Sequence, residues 1–177
     1  MNKLLKIKLI KIIGEFMEHM REYTINILKD LLDVCREEYI LLNSASENIK
    51  NDTLKEIFGK YSQKKYEYAV KLECEIKRLG GDLDNQKNPE FKNTFQPDIN
   101  TNNEKLLREC VRRDSMAFKL YSAAIKEDIL WEVIPLIAKQ YFETKNIYDQ
   151  MFNICNKTME TSSRAYVQTS AGQIVFH

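Results

Sequence analysis

Apolar residues recur at steps of three and four along four stretches of the chain, and this periodicity constrains the fold more than any other feature. The stretches cover residues 25–46, 54–79, 107–124 and 134–155. This spacing places the apolar side chains on one face of an α-helix. The sequence therefore predicts four amphipathic helices that pack against one another.

Turn-forming residues are too scarce for the main alternative, a many-stranded β-sandwich or barrel. The 177 residues include only 5 Gly and 3 Pro, whereas such folds need frequent turns. The length suits one domain. With 44% hydrophobic and 30% charged residues, the composition is that of a globular protein. We expect an all-α fold.

A polar segment, residues 80–103, separates the second and third predicted helices. It opens with Gly80-Gly81, a strong helix stop. A helix of about 25 residues is about 38 Å long at about 1.5 Å per residue, and the segment is long enough to cross that distance. The sequence thus predicts a ferritin-like four-helix bundle with a long loop between the second and third helices. A plain up-down-up-down bundle with a loose middle loop is the alternative.

Both ends of the chain differ from this central part. We predict a basic N-terminal leader over residues 1–19, the bundle over 20–156, and a polar C-terminal tail over 157–177. Lysines interrupt the apolar run of the leader, which argues against a signal peptide. Contact of the leader with a membrane surface is a less favoured alternative. The tail is rich in Ser and Thr and lacks helical periodicity.

Residues of three predicted helices resemble a bacterial ferritin-like domain family of unknown function. The resemblance covers about residues 20–155, and its matching segments are Thr53-Leu-Lys-Glu-Ile-Phe58, Glu75-Ile-Lys-Arg-Leu-Gly-Gly81, Leu107–Tyr121, Ala124–Asp128 and Ile137–Asp149. It implies a four-helix fold but no established reaction. Family members often carry a His where this chain has Tyr148, so the chain departs from the pattern at that position.

The ferritin-like arrangement allows a specific test for a di-metal centre. Such centres take one Glu from each of two helices and a Glu-x-x-His pair from each of the others. Here the two histidines are His19 and His177, so both pairs are missing. Counting along the helices predicts a mid-bundle layer of Cys35 or Glu38, Gln63, Lys65, Tyr66, Asp114, Glu143, Lys145 and Tyr148.

This layer favours a buried salt bridge over a metal site. A carboxylate that faces one or two lysines gains a partner for its charge, and burial without one is costly. We therefore assign no catalytic, cofactor-binding or metal residues and expect no cofactor. If a degenerate metal site exists, Glu38, Asp114 and Glu143 are its remaining carboxylates.

Four widely spaced cysteines do not form a disulfide scaffold and indicate a reduced, cytoplasmic setting. Cys35, Cys110 and Cys155 lie on apolar stripes and are predicted to be buried, whereas Cys74 is the one most expected to be exposed. The net charge of +1 argues against nucleic acid as a partner. The arginines of the third helix are interpreted as a solvated face.

The sequence therefore favours a protein that is not an enzyme. We predict a helical bundle that acts through self-association, as a homodimer, or through a protein partner. The alternative is a metal-binding oxidoreductase related to the di-metal carboxylate proteins.

Overall fold

The computed structural model describes residues 3–83 and 103–171, with the backbone alone for residues 3, 4, 6, 103 and 161–171. Four long helices make up this part of the chain: α1 (Lys3–Asn48), α2 (Asp52–Arg78), α3 (Asn103–Ala124) and α4 (Ile134–Ala171). A short 3₁₀ turn, Trp131–Val133, precedes α4. The predicted all-α class is confirmed, while most of the predicted long loop lies outside the described residues.

The contacts between helices establish their directions. The Cys35 Sγ of α1 lies 3.1 Å from the hydroxyl of Tyr121 in α3, while Glu37, further along α1, binds Arg113, earlier in α3. These helices are therefore antiparallel. α1 is also antiparallel to α2, since Arg36 binds Glu73 whereas later residues of α1 contact earlier ones of α2. It follows that α2 and α3 run in the same direction.

Two apolar clusters fill the bundle, one at each end. The first joins the start of the packed part of α1 to the ends of α2 and α3, around Leu28, Leu72 and Tyr121. The second joins the end of α1 to the starts of α2 and α3, around Leu42, Phe58 and Leu107. α2 therefore ends at one end of the bundle, and α3 begins at the other.

The predicted stripes of α2 and α3 are buried at every position. They comprise Leu54, Phe58, Tyr61, Lys65, Tyr68, Leu72, Ile76 and Leu79, and Leu107, Cys110, Asp114, Ala117, Tyr121 and Ala124. In α1 the apolar spacing predicts Tyr39 on the buried stripe, but Tyr39 is half-buried and its neighbour Glu38 is buried instead. In α4 the stripe positions Ile137, Thr144, Met151 and Cys155 are buried as predicted, and Gln140 and Ile147 are buried with them. Tyr141 and Tyr148, expected on that stripe, are instead half-buried at its edge, where they stack on Phe118 of α3.

The predicted leader and tail both contain helix. α1 is continuous from Lys3, so most of the leader is the first part of the same helix. α4 continues to Ala171, so helix extends into the polar segment although that segment lacks helical periodicity. The physical reason is that an established helix extends by one hydrogen bond per residue without a new nucleation cost.

The end of α2 depends on its two glycines. Gly80 has φ +82°, and its N–H binds the Lys77 carbonyl, while the N–H of Gly81 binds that of Ile76. This is a Schellman motif, in which glycine suits the left-handed position. The chain then turns so closely onto the core that a Cβ at Gly81 would lie 2.8 Å from Ile76 Cγ2 and 2.9 Å from Ile25 Cγ2.

Replacing two glycines by alanine should therefore have opposite effects. Gly81→Ala is expected to lower the free energy of unfolding by about 1–3 kcal/mol, because the new methyl group overpacks the core. Gly59→Ala, inside α2 with open space around it, should raise that free energy by about 0.5–1 kcal/mol through helix propensity. Urea denaturation followed by circular dichroism measures both. A neutral Gly81→Ala would contradict the close approach.

Candidate functional site

A buried lysine lies between two carboxylates in the middle of the bundle. The Nζ atom of Lys65 in α2 is 2.8 Å from Oε2 of Glu38 in α1 and 3.3 Å from Oδ1 of Asp114 in α3. All three side chains are at most 2% exposed. We call Glu38, Lys65 and Asp114 the buried charge layer. It forms because each residue occupies a stripe position of its own helix, and the three helices place these positions at the same height.

The charges of this layer depend on one another. Burial raises the pKa of Glu38, and the nearby Asp114 raises it further, although Lys65 acts in the opposite direction; the pKa stays well above its usual range. For Lys65, burial lowers the pKa, but the two carboxylates outweigh burial and leave it above its usual value. The raised pKa means that the folded protein favours the protonated form of Glu38 more than solvent does.

The layer keeps hydrogen-bonding capacity unused. Lys65 contacts its partners as ion pairs, without the alignment of hydrogen bonds, and within the described residues the oxygens of Glu38 and Asp114 have no aligned donor. A buried polar group without a hydrogen-bond partner lowers the stability of the fold by about 1–3 kcal/mol. The layer is thus held mainly by charge.

The prediction for this layer is confirmed for Lys65, Asp114 and Glu38, which are buried, and wrong for Gln63, Tyr66 and Lys145, which are exposed. The Lys145 side chain is 48% exposed, and its Nζ lies 2.6 Å from Asp149 Oδ2. α4 turns Gln140 and Thr144 inward instead, which places Lys145 on the outer surface. Thr144 was expected on the α4 stripe and is buried, whereas the buried Gln140 was not expected there, although it continues the helical spacing from Ile137.

Glu143 lies apart from the two carboxylates of the buried charge layer. It accepts a hydrogen bond from the Tyr68 hydroxyl, and its Oε2 is 3.5 Å from Lys64 Nζ at the half-exposed groove between α2 and α4. The three carboxylates expected in a degenerate metal site, Glu38, Asp114 and Glu143, are therefore divided between two places. Within residues 3–83 and 103–160, no group of three or more His, Cys, Asp or Glu residues is arranged to hold a metal ion.

A polar network crosses the bundle beside this layer. The Tyr121 hydroxyl lies against Cys35 Sγ and donates a hydrogen bond to Gln140 Oε1 at 2.7 Å, and Gln140 in turn donates to the Tyr68 carbonyl at 3.3 Å. Burial, followed by the charge of Glu38, raises the pKa of the Cys35 thiol to about 12. This keeps Cys35 protonated and makes it a poor nucleophile at neutral pH.

The other cysteines and the α3 arginines are located as predicted. Cys35, Cys110 and Cys155 are buried, and Cys74 is exposed. Arg108 and Arg112 bind glutamates of their own helix at 2.7 and 2.6 Å. Arg113 also reaches Glu37 of α1, at 2.8 Å. These pairs neutralise much of the basic face of α3.

Two apolar surfaces remain uncovered in the described part of the chain. The first, on α3 and α4, we call the aromatic face: Phe118, Tyr141, Phe142, Tyr148 and Phe152, joined by ring contacts of 5.1–6.2 Å. The second is the N-terminal extension, residues 3–19 of α1, where every side chain that the structure describes is exposed. None of the described helices combines the length and apolar composition needed to cross a membrane.

Comparison with known proteins adds no relative to this picture. No family profile matches the chain, and a search of curated proteins finds no match.

Proposed function

We propose that this protein is a non-enzymatic, ferritin-like four-helix bundle that acts through self-association or a protein partner. The observation that carries the proposal is the position of Lys65. Its ammonium lies between Glu38 and Asp114, at the centre of the bundle, and supplies the positive charge that a metal cation supplies in a di-metal carboxylate bundle. An ammonium at this position supports a structural role for the two carboxylates.

The direction of the helices supports the ferritin-like part of the proposal. α2 and α3 run in the same direction, and the chain between them has to travel from one end of the bundle to the other. A ferritin-like bundle has this arrangement of two hairpins and a crossover. The segments that resemble the ferritin-like family fall within α2 and at its end, within α3 and directly after it, and within α4.

The uncovered surfaces support the part that concerns association. Phe142 of the aromatic face is 66% exposed, its ring contacts that of Tyr141, and contiguous exposed aromatic residues are typical of protein interaction sites. Four unpaired cysteines suit a cytoplasmic protein, which we include in the proposal.

A metal-binding oxidoreductase is the second candidate, because Glu38 and Asp114 retain oxygens without aligned donors. Elemental analysis distinguishes the two. We expect protein purified from cells supplied with iron and manganese to contain far less than one metal ion per chain. A stoichiometric metal that is lost in a folded Asp114→Asn variant, but kept in a Glu143→Gln variant, would contradict the proposal and locate the metal in the buried layer. Circular dichroism verifies that both variants are folded.

A further inference from the structure

The N-terminal extension carries an apolar stripe that nothing in the described part of the chain covers. Leu5, Leu9, Ile12 and Phe16 recur at helical spacing and are 59%, 51%, 62% and 60% exposed. The extension is about 26 Å long at about 1.5 Å per residue. An uncovered stripe of this length is large for the surface of a monomer.

The stripe leads into a cleft at the end of the bundle. The cleft has a volume of about 620 Å³ and is lined by Phe16, His19, Met20 and Tyr23 of α1 and by Glu127–Ile129 after α3. Here the Tyr23 hydroxyl donates a hydrogen bond to Glu127. The cleft therefore combines an apolar floor with acidic residues at its edge.

Charge is divided along the extension. Residues 1–14 contain four lysines and no acidic residue, which leaves 23 basic against 26 acidic residues in the remaining chain. Lys8 and Lys11 lie in the outer half. Glu15 and Glu18 follow at its base, close to the acidic cleft. One half of the extension is thus complementary in charge to the other half.

We propose that the N-terminal extensions of two copies of this chain pack antiparallel and form a homodimer. The inference rests on the proposed function, of which it names the surface and the partner. An antiparallel pair centred on Ile12 and Ile13 aligns the two apolar stripes, so that Leu9 of one copy faces Phe16 of the other. It also brings Lys8 and Lys11 near Glu18 and Glu15 of the second copy, twice, by the two-fold symmetry.

The tip of each extension then reaches the cleft of the other copy. An anionic lipid surface fits this face less well. Although it would attract the four lysines, it would press Glu15, Glu18 and the acidic edge of the cleft against negative headgroups.

Light scattering on the full chain after size-exclusion chromatography tests the surface. We expect a dimer for the wild type, a monomer for Ile12→Glu, and a dimer for the matched control Phe142→Ser on the aromatic face. A dimer that persists in Ile12→Glu but dissociates in Phe142→Ser would overturn this inference and leave the proposed self-association intact. A wild-type monomer would overturn the inference and remove self-association from the proposed function.

Charge reversal tests the antiparallel arrangement. Lys8→Glu with Lys11→Glu, and separately Glu15→Lys with Glu18→Lys, should each weaken the homodimer about tenfold or more, because like charges then face each other. Mixing the two variants should restore a heterodimer of wild-type affinity, measured by sedimentation equilibrium. Failure of the mixture to associate better than either variant alone would overturn the arrangement.

Cysteine cross-linking determines independently whether the two N-terminal extensions are antiparallel or parallel. In a Cys74→Ser background, Leu9→Cys mixed with Phe16→Cys should form a disulfide between chains, whereas neither variant alone should do so. Cross-linking within each variant alone would indicate parallel helices and overturn the proposal. The proposal would also be overturned if the wild type were monomeric and floated with vesicles of phosphatidylglycerol and phosphatidylcholine, and if Ile12→Glu abolished this binding.

Discussion

Lys65→Met is expected to lower the free energy of unfolding by about 3–5 kcal/mol, because it breaks a buried ion pair by removing one partner. Methionine fills a similar volume but removes the charge that both Glu38 and Asp114 contact. The two carboxylates then lie in the core with neither a cation nor an aligned donor. Urea denaturation at pH 7, followed by circular dichroism, measures the loss.

The neighbouring lysine provides the matched control. Lys64 is also a lysine and directly precedes Lys65 in α2, but its side chain is 39% exposed. Its Nζ lies 3.5 Å from Oε2 of the half-exposed Glu143. Lys64→Met should change the free energy of unfolding by less than about 1 kcal/mol, as expected for surface pairs. Equal effects of Lys64→Met and Lys65→Met would show that the buried charge layer is solvated in solution.

Replacing the whole layer should reverse the loss. When Glu38→Leu, Lys65→Met and Asp114→Leu are combined, no buried charge remains, and well-packed apolar replacements of ion pairs are neutral or stabilising by about 1–4 kcal/mol. The triple variant is therefore expected to be at least as stable as the wild type. A triple variant as unstable as Lys65→Met alone would mean that the three charged side chains stabilise the fold more than apolar side chains do.

The helices and the charged middle of the bundle could be predicted from the sequence because both follow from local spacing. Lys65 and Asp114 lie on the apolar stripes of α2 and α3, and a charged residue on such a stripe must find a partner in the core. The missing mid-chain histidines likewise indicated a layer without the usual metal ligands. These inferences need only the helical period and the direction of the helices.

The details of α4 could not be predicted in the same way. Its tyrosines, Tyr141 and Tyr148, are apolar enough to appear as core positions, yet they stack against Phe118 at the edge of the bundle. This rotation turns Gln140 inward and Lys145 outward, and it depends on packing between helices that are distant in sequence. The continuation of α1 through the leader could not be predicted for another reason, since its apolar residues are exposed in the part of the chain that the structure describes.

Glu38→Gln should make the protein more stable at neutral pH and leave its stability unchanged in acid. The pKa of Glu38 is raised in the folded protein, chiefly by burial. As the pH rises above the usual value of 4.5 for a glutamate, the unfolded chain loses this proton while the folded protein keeps it. The unfolded state then binds fewer protons, so the contribution of Glu38 to stability falls with rising pH. Glutamine resembles the protonated acid and removes this loss.

The measurement is the difference in free energy of unfolding between Glu38→Gln and wild type, taken by urea denaturation from pH 4 to pH 8. We expect the difference to grow in favour of the variant above about pH 4.5 and to vanish below it. Glu47→Gln, on the exposed side of the same helix, should show a small difference that does not change with pH. If Glu38→Gln were instead destabilising at pH 8, Glu38 would be ionised in the folded protein and would share with Asp114 the task of balancing Lys65. The pH profile therefore distinguishes a neutral layer, with one carboxylate protonated, from a layer that carries a net negative charge through the core.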